Sequence, residues 1–509
     1  MARITVGLDF GTHQTKICVE DRSDVSNPIY SFFSFEDLDG NRSVLLPSIV
    51  QVNRDNTLSY GFVDSEKAKY DKKFYIGEMP EFPQKPTFKF EEVLDEPIKP
   101  NILRKDPPKD SIGLSRYKDA EKSYESQMVV WNQKKIFLEA RNNQKKIELE
   151  KAYKEAEREW YKWQNSSQIN YRLVYRYFKQ STFSNYNWKC TQHSTSLSIW
   201  YLSYVIFLLE KQYGQDFSIQ MGIPTGSDNF AKKKKNAVSI LLSAYRLVEE
   251  VFNNDLDKFL ATPINELEKL TQIVPYSDDK KYEYGILIFP EAYAGLSSIT
   301  SQGKIPEGMS LMVDIGGGTT DVTFFTIEEN RPRIYDYFSI PFGINYIIET
   351  ALPELQDKFE ANLDLNEIEK DKLKKAITQY KERLLLECEN LLGRLSSNFE
   401  RTGFSNNRLI DALKNRIVVY SGGGSTYNSL RTQLSYFKDI RHVSSKIWEG
   451  LTINELDQYK KYTPILSTAL GLSISQINDD IVLSSVSEIF SNIENQNNQL
   501  EDHPRPRWV

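Results

Sequence analysis

A pattern of apolar strand, acid, glycine and hydroxyl residue occurs twice in this chain, and it limits the possible folds more than any other feature. In each copy an apolar run typical of a buried strand ends at an aspartate, and a glycine turn follows. Two copies indicate a duplicated α/β fold that holds one polyphosphate from both sides. The copies are Val6-Gly-Leu-Asp9-Phe-Gly11-Thr12 and Leu311-Met-Val-Asp314-Ile-Gly316-Gly-Gly-Thr319-Thr-Asp321.

The residue types in this pattern suit phosphate and a divalent cation. Glycine has no Cβ, so backbone N–H groups of the turn can approach phosphate oxygens closely. An aspartate at a strand end can hold Mg²⁺ through water, because magnesium keeps much of its hydration shell. One Asp-x-Gly-Thr is weak evidence, since ordinary hairpins use the same residues. The interpretation therefore depends on the second copy.

A third glycine turn follows another apolar run, in the segment Val418-Val-Tyr-Ser-Gly422-Gly-Gly-Ser425-Thr. The pattern predicts a buried strand at 417–421, a turn, and a helix at 427–434. Such a turn lets the backbone approach a nucleoside, and a helix N-terminus favours anions.

The length of 509 residues predicts two or more domains, or one large two-lobed unit. Changes of composition along the chain indicate a helical insertion at about 80–193 and a polar tail at 479–509. Within the insertion, prolines between 80 and 108 predict an extended connector. Residues 115–165 lack proline and glycine, which predicts a long helix or a helical hairpin. The apolar repeat there is not a clean heptad, so the pattern does not specify a coiled coil.

Composition also argues against several classes of function. Lys plus Arg total 64 against 70 Asp plus Glu, so the net charge of −6 gives no drive towards nucleic acid or an anionic membrane. The longest apolar stretch, 199–209, is too short to cross a bilayer. Three scattered cysteines, Cys18, Cys190 and Cys388, and four histidines show no ligand spacing, which indicates a reducing cytoplasm. The lysine run 232–235 fits a solvated helix face or a phosphate or partner patch.

The two hairpins and the third turn resemble the motifs of the actin, sugar kinase and heat-shock chaperone ATPase superfamily. The segment from Asp314 to Val322 is similar to DnaK-type chaperones and to the bacterial actin-like MreB and FtsA. The resemblance covers about residues 3–475 apart from the insertion, and it implies an actin-like two-lobed fold of duplicated ribonuclease H-like domains. It implies lobe I at 1–303, lobe II at 304–463 with a helical subdomain at about 345–412, and a closing helix at 464–478 that returns to lobe I. Segments resembling a DnaK-type ATPase domain are Leu46-Pro-Ser-Ile-Val50, Met221-Gly-Ile-Pro224, Glu291-Ala-Tyr-Ala-Gly295, Cys388-Glu389 with Leu395-Ser396-Ser397, and Pro464 with Ala469-Leu-Gly471.

The resemblance implies ATP or ADP with Mg²⁺, and slow hydrolysis of ATP to ADP and phosphate. It assigns Asp9 and Asp314 to Mg²⁺ and its waters, and Glu291 and Asp321 to the attacking water or the metal shell. Catalysis is then mainly positioning and charge neutralisation. Phosphate and nucleoside contacts fall to Gly11, Thr12, His13, Gly316, Gly317, Gly318, Thr319, Thr320, Glu389, Gly422, Gly423, Gly424 and Ser425. For His13, a loop position near solvent is an equal alternative.

The catalytic lysine and the base pocket depart from the chaperone pattern. Lys16 follows Asp9 by seven, as does the phosphate-contacting lysine of actin and the plasmid-partition actins, although an edge-strand surface lysine fits equally. The chaperone lysine falls in the proline connector, where Lys85 and Lys89 are candidates. At Leu392-Gly393 the adenine-sandwiching Lys-Arg pair is missing, which leaves the base undetermined.

Three functions therefore compete. The first is a DnaK-like switch without a peptide-binding domain, since about thirty residues follow the closing helix; it would act on an unknown partner protein through the insertion at 110–193. The second is an actin-like filament-forming ATPase, which Lys16 supports. The third is a catalytically weak nucleotide-binding scaffold, which the altered base positions support. A sugar kinase ranks behind them, because no acceptor motif is recognisable.

Overall fold

The computed structural model describes residues 3–69, 83–91, 95–164, 173–183, 193–224, 230–300, 305, 308–328, 331–340, 342–344, 347, 367–401, 413–414, 416–434, 437, 439–443 and 445–474. The predicted polar tail 479–509 lies outside these residues, as does most of 345–366 in the predicted helical subdomain.

Eight strands lie within residues 4–60, and helices are interspersed among the other strands from residue 111 onwards. The strands are β1 (Ile4–Phe10), β2 (Gln14–Asp21), β3 (Ile29–Phe32), β4 (Phe35–Glu36), β5 (Arg42–Ser43), β6 (Leu46–Pro47), β7 (Val50–Val52), β8 (Leu58–Tyr60), β9 (Val174–Tyr175), β10 (Phe217–Ile223), β11 (Ile286–Pro290), β12 (Ser310–Ile315), β13 (Thr320–Glu328), β14 (Arg331–Ile340), β15 (Ile417–Ser421), β16 (Asp439–His442) and β17 (Thr452–Ile453). The helices are α1 (Ser111–Gln164), α2 (Phe178–Phe183), α3 (Ser194–Tyr213), α4 (Phe230–Arg246, continued by a π-turn Leu247–Val251), α5 (Leu256–Ala261), α6 (Ile264–Leu270), α7 (Asp278–Glu283), α8 (Glu291–Thr300), α9 (Glu367–Arg401), α10 (Leu456–Tyr459) and α11 (Thr463–Ser473).

Five strands of each main sheet share the same order and the same directions, and the first sheet adds β17 beside β3 and β6 beside β2. In the first, β3 and β1 flank β2 as antiparallel neighbours, and β10 and β11 continue from β1 in parallel. In the second, β14 and β12 flank β13 as antiparallel neighbours, and β15 and β16 continue from β12 in parallel. This order is that of a ribonuclease H-like domain. The predicted duplicated, actin-like α/β fold is therefore confirmed by topology.

The central strands are apolar on both faces because helices cover them. Val6, Leu8 and Phe10 of β1 have no exposed surface, as expected for a strand with a parallel neighbour in a covered sheet. In the first lobe α3 supplies much of that cover, with Trp200 and Tyr201 fully buried. These cores fix the ends of β1 and β12, where the two predicted acid-glycine turns begin.

Helix α11 contacts both sheets, since it packs on β1, on β15 and along α8. The packing on α8 is close: a Cβ built on Gly471 would lie 1.7 Å from the carbonyl oxygen of Ala294, so only glycine fits there. Pro464 starts the helix, where its missing N–H costs no hydrogen bond. Residues 463–473 thus form a helix at the position of the predicted closing segment 464–478, of which 475–478 lie outside the described residues.

The insertion forms a separate compact unit, Asp71–Tyr171. Its long segment is one helix of 54 residues, α1, rather than the hairpin that the sequence left open. An extended strap precedes it, here defined as residues 83–91 and 95–110. The carboxamide of Asn142 accepts from the N–H of Glu91 and donates to its carbonyl oxygen, both at 3.2 Å.

The predicted end of the insertion at 193 is too late. Strand β9 pairs with β7 of the first lobe, and Phe178 and Phe183 of α2 are buried in the core of that lobe. The aromatic residues around 173–183 therefore belong to the first lobe. Among the described residues, no helix has both the length and the apolar character that a bilayer crossing requires.

Candidate functional site

A cavity of about 500 Å³ lies where the turns after β1, β12 and β15 meet. The ends of α2, α8 and α11 complete its wall. Most of the residues that the sequence nominated line this one cavity. They are Asp9, Gly11, Thr12, His13, Lys16, Glu291, Asp314, Gly316, Gly317, Gly318, Thr319, Asp321, Gly422 and Gly423.

Four nominated residues do not line the cavity. Thr320 faces away from it, because side chains alternate along β13; its hydroxyl donates to the carbonyl oxygen of Phe342 at 2.6 Å. Gly424 and Ser425 are buried behind the turn, where the Ser425 hydroxyl donates to the carbonyl oxygen of Gly422 at 2.7 Å. Glu389 is exposed on α9. The structure corrects these four assignments.

The first hairpin holds a buried ion pair. Asp9 and Lys16 stand opposite each other in the β1–β2 register, and Lys16 Nζ lies 2.7 Å from Asp9 Oδ2. Only 12% of the Lys16 side chain is exposed, so Lys16 is not an edge-strand surface lysine. Strand β2 lies inside the sheet, and Lys16 lines the cavity beside Asp9, the acid with which it pairs.

The second hairpin holds two acids at the matching position. Asp314 and Asp321 stand opposite each other in the β12–β13 register. Burial raises the pKa of Asp314 to about 8, and the charges of Asp321, Glu291 and Asp9 add to the rise. Burial also raises the pKa of Asp321 to about 7, against hydrogen bonds from Ser339 and Thr319 that lower it. Since unpaired buried carboxylates are costly, this hairpin favours an added cation.

A second lysine, absent from the sequence predictions, completes the charged wall. Lys179 of α2 is 3% exposed and forms an ion pair with Glu291, the first residue of α8. Burial raises the pKa of Glu291, and Lys179 opposes that rise. The proposed candidates Lys85 and Lys89 lie in the separate unit 71–171. Sequence reasoning missed Lys179 because the insertion separates it from every motif.

Close contacts between backbone and side chains set the position of the second and third turns. Gly422 has a φ of 79°, and a Cβ built there would lie 2.1 Å from Asp314 Oδ1. A Cβ on Gly317 would lie 2.0 Å from Cδ2 of His13, so the His13 ring packs against the second glycine turn. After Gly422 the chain forms 3₁₀ turns at Gly423–Thr426 and Asn428–Leu430 instead of the predicted helix at 427–434. No helix dipole therefore acts there.

The positions of the missing Lys-Arg pair and the cavity wall beyond the third turn bear on how a base could bind. Leu392 is buried in α9, and Gly393 has nothing within 4 Å of a built Cβ. Tyr427, half exposed, lines the cavity together with Ile465. An aromatic ring next to an apolar side chain is suited to the flat face of a base.

The acids of the cavity suit a hydrated Mg²⁺ better than a dehydrated ion. Within the described part of the chain, no three His, Cys, Asp or Glu side chains lie close enough to ligate one metal directly. Asp321 Oδ1 is buried and has no hydrogen-bond partner among the described residues, so it is available to a water of a metal shell. Magnesium keeps several waters and needs only one or two carboxylates, so the residues present fit it.

No protein-family model matches the chain, and no curated protein is similar to it. Solved structures of similar fold include a MamK double helical filament, with 13% identity over 92% of this chain and 98% of that chain and a TM-score of 0.37. A 15-stranded ParM filament from Clostridium botulinum has 13% identity over 93% of this chain and 98% of that chain, with a TM-score of 0.35. An archaeal actin homolog has 12% identity over 92% and 98%, with a TM-score of 0.34. The strand order of its two sheets gives this chain the actin-like fold of paired ribonuclease H-like domains.

Proposed function

We propose that the chain is a Mg²⁺-dependent ATP hydrolase of the actin-like type, whose bound nucleotide controls assembly of the chain into filaments in the cytoplasm. One observation is the main support for ATP hydrolysis. The two sheets present Asp9 and Asp314, at the ends of equivalent strands, to a single cavity that also receives two buried lysines. A polyphosphate with its metal supplies the charges that this arrangement requires.

Binding uses backbone groups and lysines. The turns at Gly11 and at 316–318 present N–H groups on opposite sides of the cavity, where the phosphate chain would lie between them. Lys16 and Lys179 supply positive charge to the phosphate oxygens from the first lobe. Tyr427 takes the base, and the Gly422 turn approaches the ribose.

Hydrolysis is a transfer of the terminal phosphoryl group to water. The water oxygen bonds to the γ-phosphorus, the bond from that phosphorus to the β–γ bridging oxygen breaks, and ADP leaves with the electron pair. When bound, Mg²⁺ neutralises the developing charge on the phosphate oxygens. Glu291 and Asp321 orient the water, and one of these two carboxylates accepts its proton. Lys179 holds the carboxylate of Glu291 in place.

The filament part of the proposal rests on Lys16. Its pairing with Asp9 and its place on β2 match the phosphate-contacting lysine in the resemblance to actin and the plasmid-partition actins. A second candidate, a DnaK-like switch that acts on a partner protein, is favoured by the Lys179–Glu291 pair. The resemblance to DnaK-type chaperones implies a catalytic lysine outside the first hairpin, and Lys179 lies outside it. The two candidates share the hydrolase and differ in what the nucleotide controls.

Phosphate release by the full-length protein tests the hydrolase. We expect ATP turnover that requires Mg²⁺, that stops with EDTA, and that falls at least 100-fold in Asp314→Asn. Asp257→Asn, on the exposed face of α5, is the matched control and keeps wild-type turnover. Turnover that persists in Asp314→Asn would overturn the site. Tight ATP binding without turnover would favour the scaffold instead.

Sedimentation at increasing protein concentration distinguishes the two outputs. We expect a pellet above a critical concentration with Mg²⁺ and a non-hydrolysable ATP analogue, and no pellet with ADP. If the wild type hydrolyses ATP yet never pellets in either nucleotide state, filament formation is excluded and the partner-directed switch takes its place.

A further inference from the structure

Helix α1 has one face against the strap. Asn142 holds the backbone of Glu91, Lys145 forms an ion pair with Glu91 at 2.8 Å, and the N–H of Gly113 donates to Asp110 Oδ1 at 2.6 Å. Half-buried residues continue this face at intervals of three or four, which is one side of a helix. They are Tyr117, Ala120, Tyr124, Met128, Trp131, Leu138 and Asn142.

The opposite face of α1 exposes large apolar side chains. Val130 is 50% exposed, Phe137 67% and Ile147 65%. Among the described residues of unit 71–171, none buries them. Exposed apolar side chains that share one helix face mark an interaction surface.

We define the outer seam as the exposed positions of α1 that recur every three or four residues on this face. Their mean spacing is close to that of a coiled-coil seam. The apolar members lie in the middle, and charged members lie at both ends. The outer seam comprises Asp119, Lys122, Ser126, Val130, Gln133, Phe137, Ala140, Gln144, Ile147, Lys151, Glu155 and Arg158.

The outer seam is complementary to itself when it is read backwards. Consider two antiparallel copies of α1 related by a two-fold axis that passes between Leu138 and Glu139. Each position of the outer seam then faces a position of the outer seam on the other copy. The matched pairs join opposite charges at the ends, an amide to an amide, and a large apolar side chain to a small one at the centre. They are Asp119 with Arg158, Lys122 with Glu155, Ser126 with Lys151, Val130 with Ile147, Gln133 with Gln144, and Phe137 with Ala140.

We propose that α1 binds a second copy of this chain, helix to antiparallel helix, along the outer seam. In a parallel pair Asp119 would face Asp119, and Lys122 would face Lys122, so like charges would meet at both ends. In the antiparallel pair each of those residues meets its opposite charge. The contact extends from 119 to 158, about 60 Å of helix at 1.5 Å per residue. This dimer requires no nucleotide and does not rest on the proposed function.

Analytical ultracentrifugation of the full-length protein without nucleotide tests the contact. We expect a dimer, and about tenfold weaker dimerisation in Lys122→Glu, because two attractive pairs become repulsive. The double variant Lys122→Glu with Glu155→Lys exchanges the charges and restores the dimer. Glu139→Lys, outside the outer seam on the same helix, leaves dimerisation unchanged. A wild type that stays monomeric, or a double variant that does not recover, overturns the proposal.

Disulfide trapping tests the direction of the helices. In a Cys190→Ser background, in which Cys18 and Cys388 are buried, a Gln133→Cys chain is mixed with a Gln144→Cys chain under oxidation. We expect a covalent dimer from the mixture and none from either chain alone. A covalent dimer from Gln133→Cys alone would show parallel helices and overturn the pairing. Asp314→Asn should dimerise like the wild type, which separates this contact from nucleotide-driven assembly.

Discussion

The two hairpins of the cavity share a backbone but differ in the residue that faces the aspartate. In the first hairpin Lys16 stands opposite Asp9, and the two form an ion pair. In the second hairpin Asp321 stands opposite Asp314 at the same position of the register, and the pKa of each acid is raised. One hairpin is neutral within itself, and the other requires a positive charge from outside.

Under the proposed function, this difference gives the two hairpins different roles. We expect the neutral hairpin to hold phosphate without a metal, since the Lys16 ammonium can donate hydrogen bonds to phosphate oxygens. We expect the acidic hairpin to repel phosphate unless a cation lies between them. The duplicated fold supplies the same geometry twice, and the proposal assigns the difference in role to the residue that faces the aspartate.

The largest effect should come from making the second hairpin like the first. Asp321→Lys places an ammonium beside Asp314, so the acid is neutralised from within and the metal loses its site. We expect ATP turnover to fall about 1,000-fold, or about 4 kcal/mol in activation free energy. Phosphate release measures the loss. The melting temperature of the metal-free protein should stay or rise, and a variant that is both folded and active would contradict the comparison.

Substitutions of the two lysines should affect different steps, Lys179 the hydrolysis and Lys16 the binding of nucleotide. Lys179→Met removes the partner of Glu291 next to the attacking water, and we expect kcat to fall about 100-fold with little change in nucleotide affinity. Lys16→Met leaves Asp9 unpaired beside the phosphates, and we expect nucleotide to bind about tenfold more weakly. Nucleotide titration by fluorescence and phosphate release measure both. If the two variants lose affinity alike, the lysines do not differ in role.

The hairpins could be predicted from sequence because their information is local. Strand, acid, glycine and hydroxyl follow each other within a few residues, and a strand followed by a glycine turn forms the same structure wherever it occurs. Repetition of the pattern then gave the duplicated fold. A helix was also predicted at 464–478, from the resemblance, and residues 463–473 form one.

Residues that reach the cavity from distant segments could not be predicted. Lys179 follows a separate unit of about a hundred residues, and no motif surrounds it; the cluster of aromatic residues at 173–183 was the only signal that this segment belongs to a core. Glu389 was misplaced because a helical register cannot be read without knowing which face is covered. Thr320 was misplaced although strand alternation from Thr319 predicts that it points away.

The free energy of unfolding of the metal-free protein should depend on pH because Asp321 has a raised pKa. The folded-state pKa of Asp321, about 7, is above its unfolded value, so between about pH 4 and pH 7 the folded state binds more protons than the unfolded state. Stability is therefore lost as the pH rises through that window. We expect Asp321→Asn to stabilise the protein in EDTA by roughly 2 kcal/mol more at pH 8 than at pH 5, measured by urea unfolding. Equal gains for Asp321→Asn at both pH values would rule out the raised pKa of Asp321.

The smallest effect should come from His13, a side chain that packs between the two hairpins. The His13 ring, in the first turn, lies against Gly317 of the second turn and edge-on to Tyr177, at 5.6 Å between ring centres. His13→Ala, which removes this packing, should lower kcat/KM only about threefold, or about 0.7 kcal/mol. His13→Gln, which keeps a side chain of similar reach, should recover most of that loss. A loss of 100-fold or more in His13→Ala would mean that the imidazole contacts the phosphates, and the first hairpin would then carry a second cation besides Lys16.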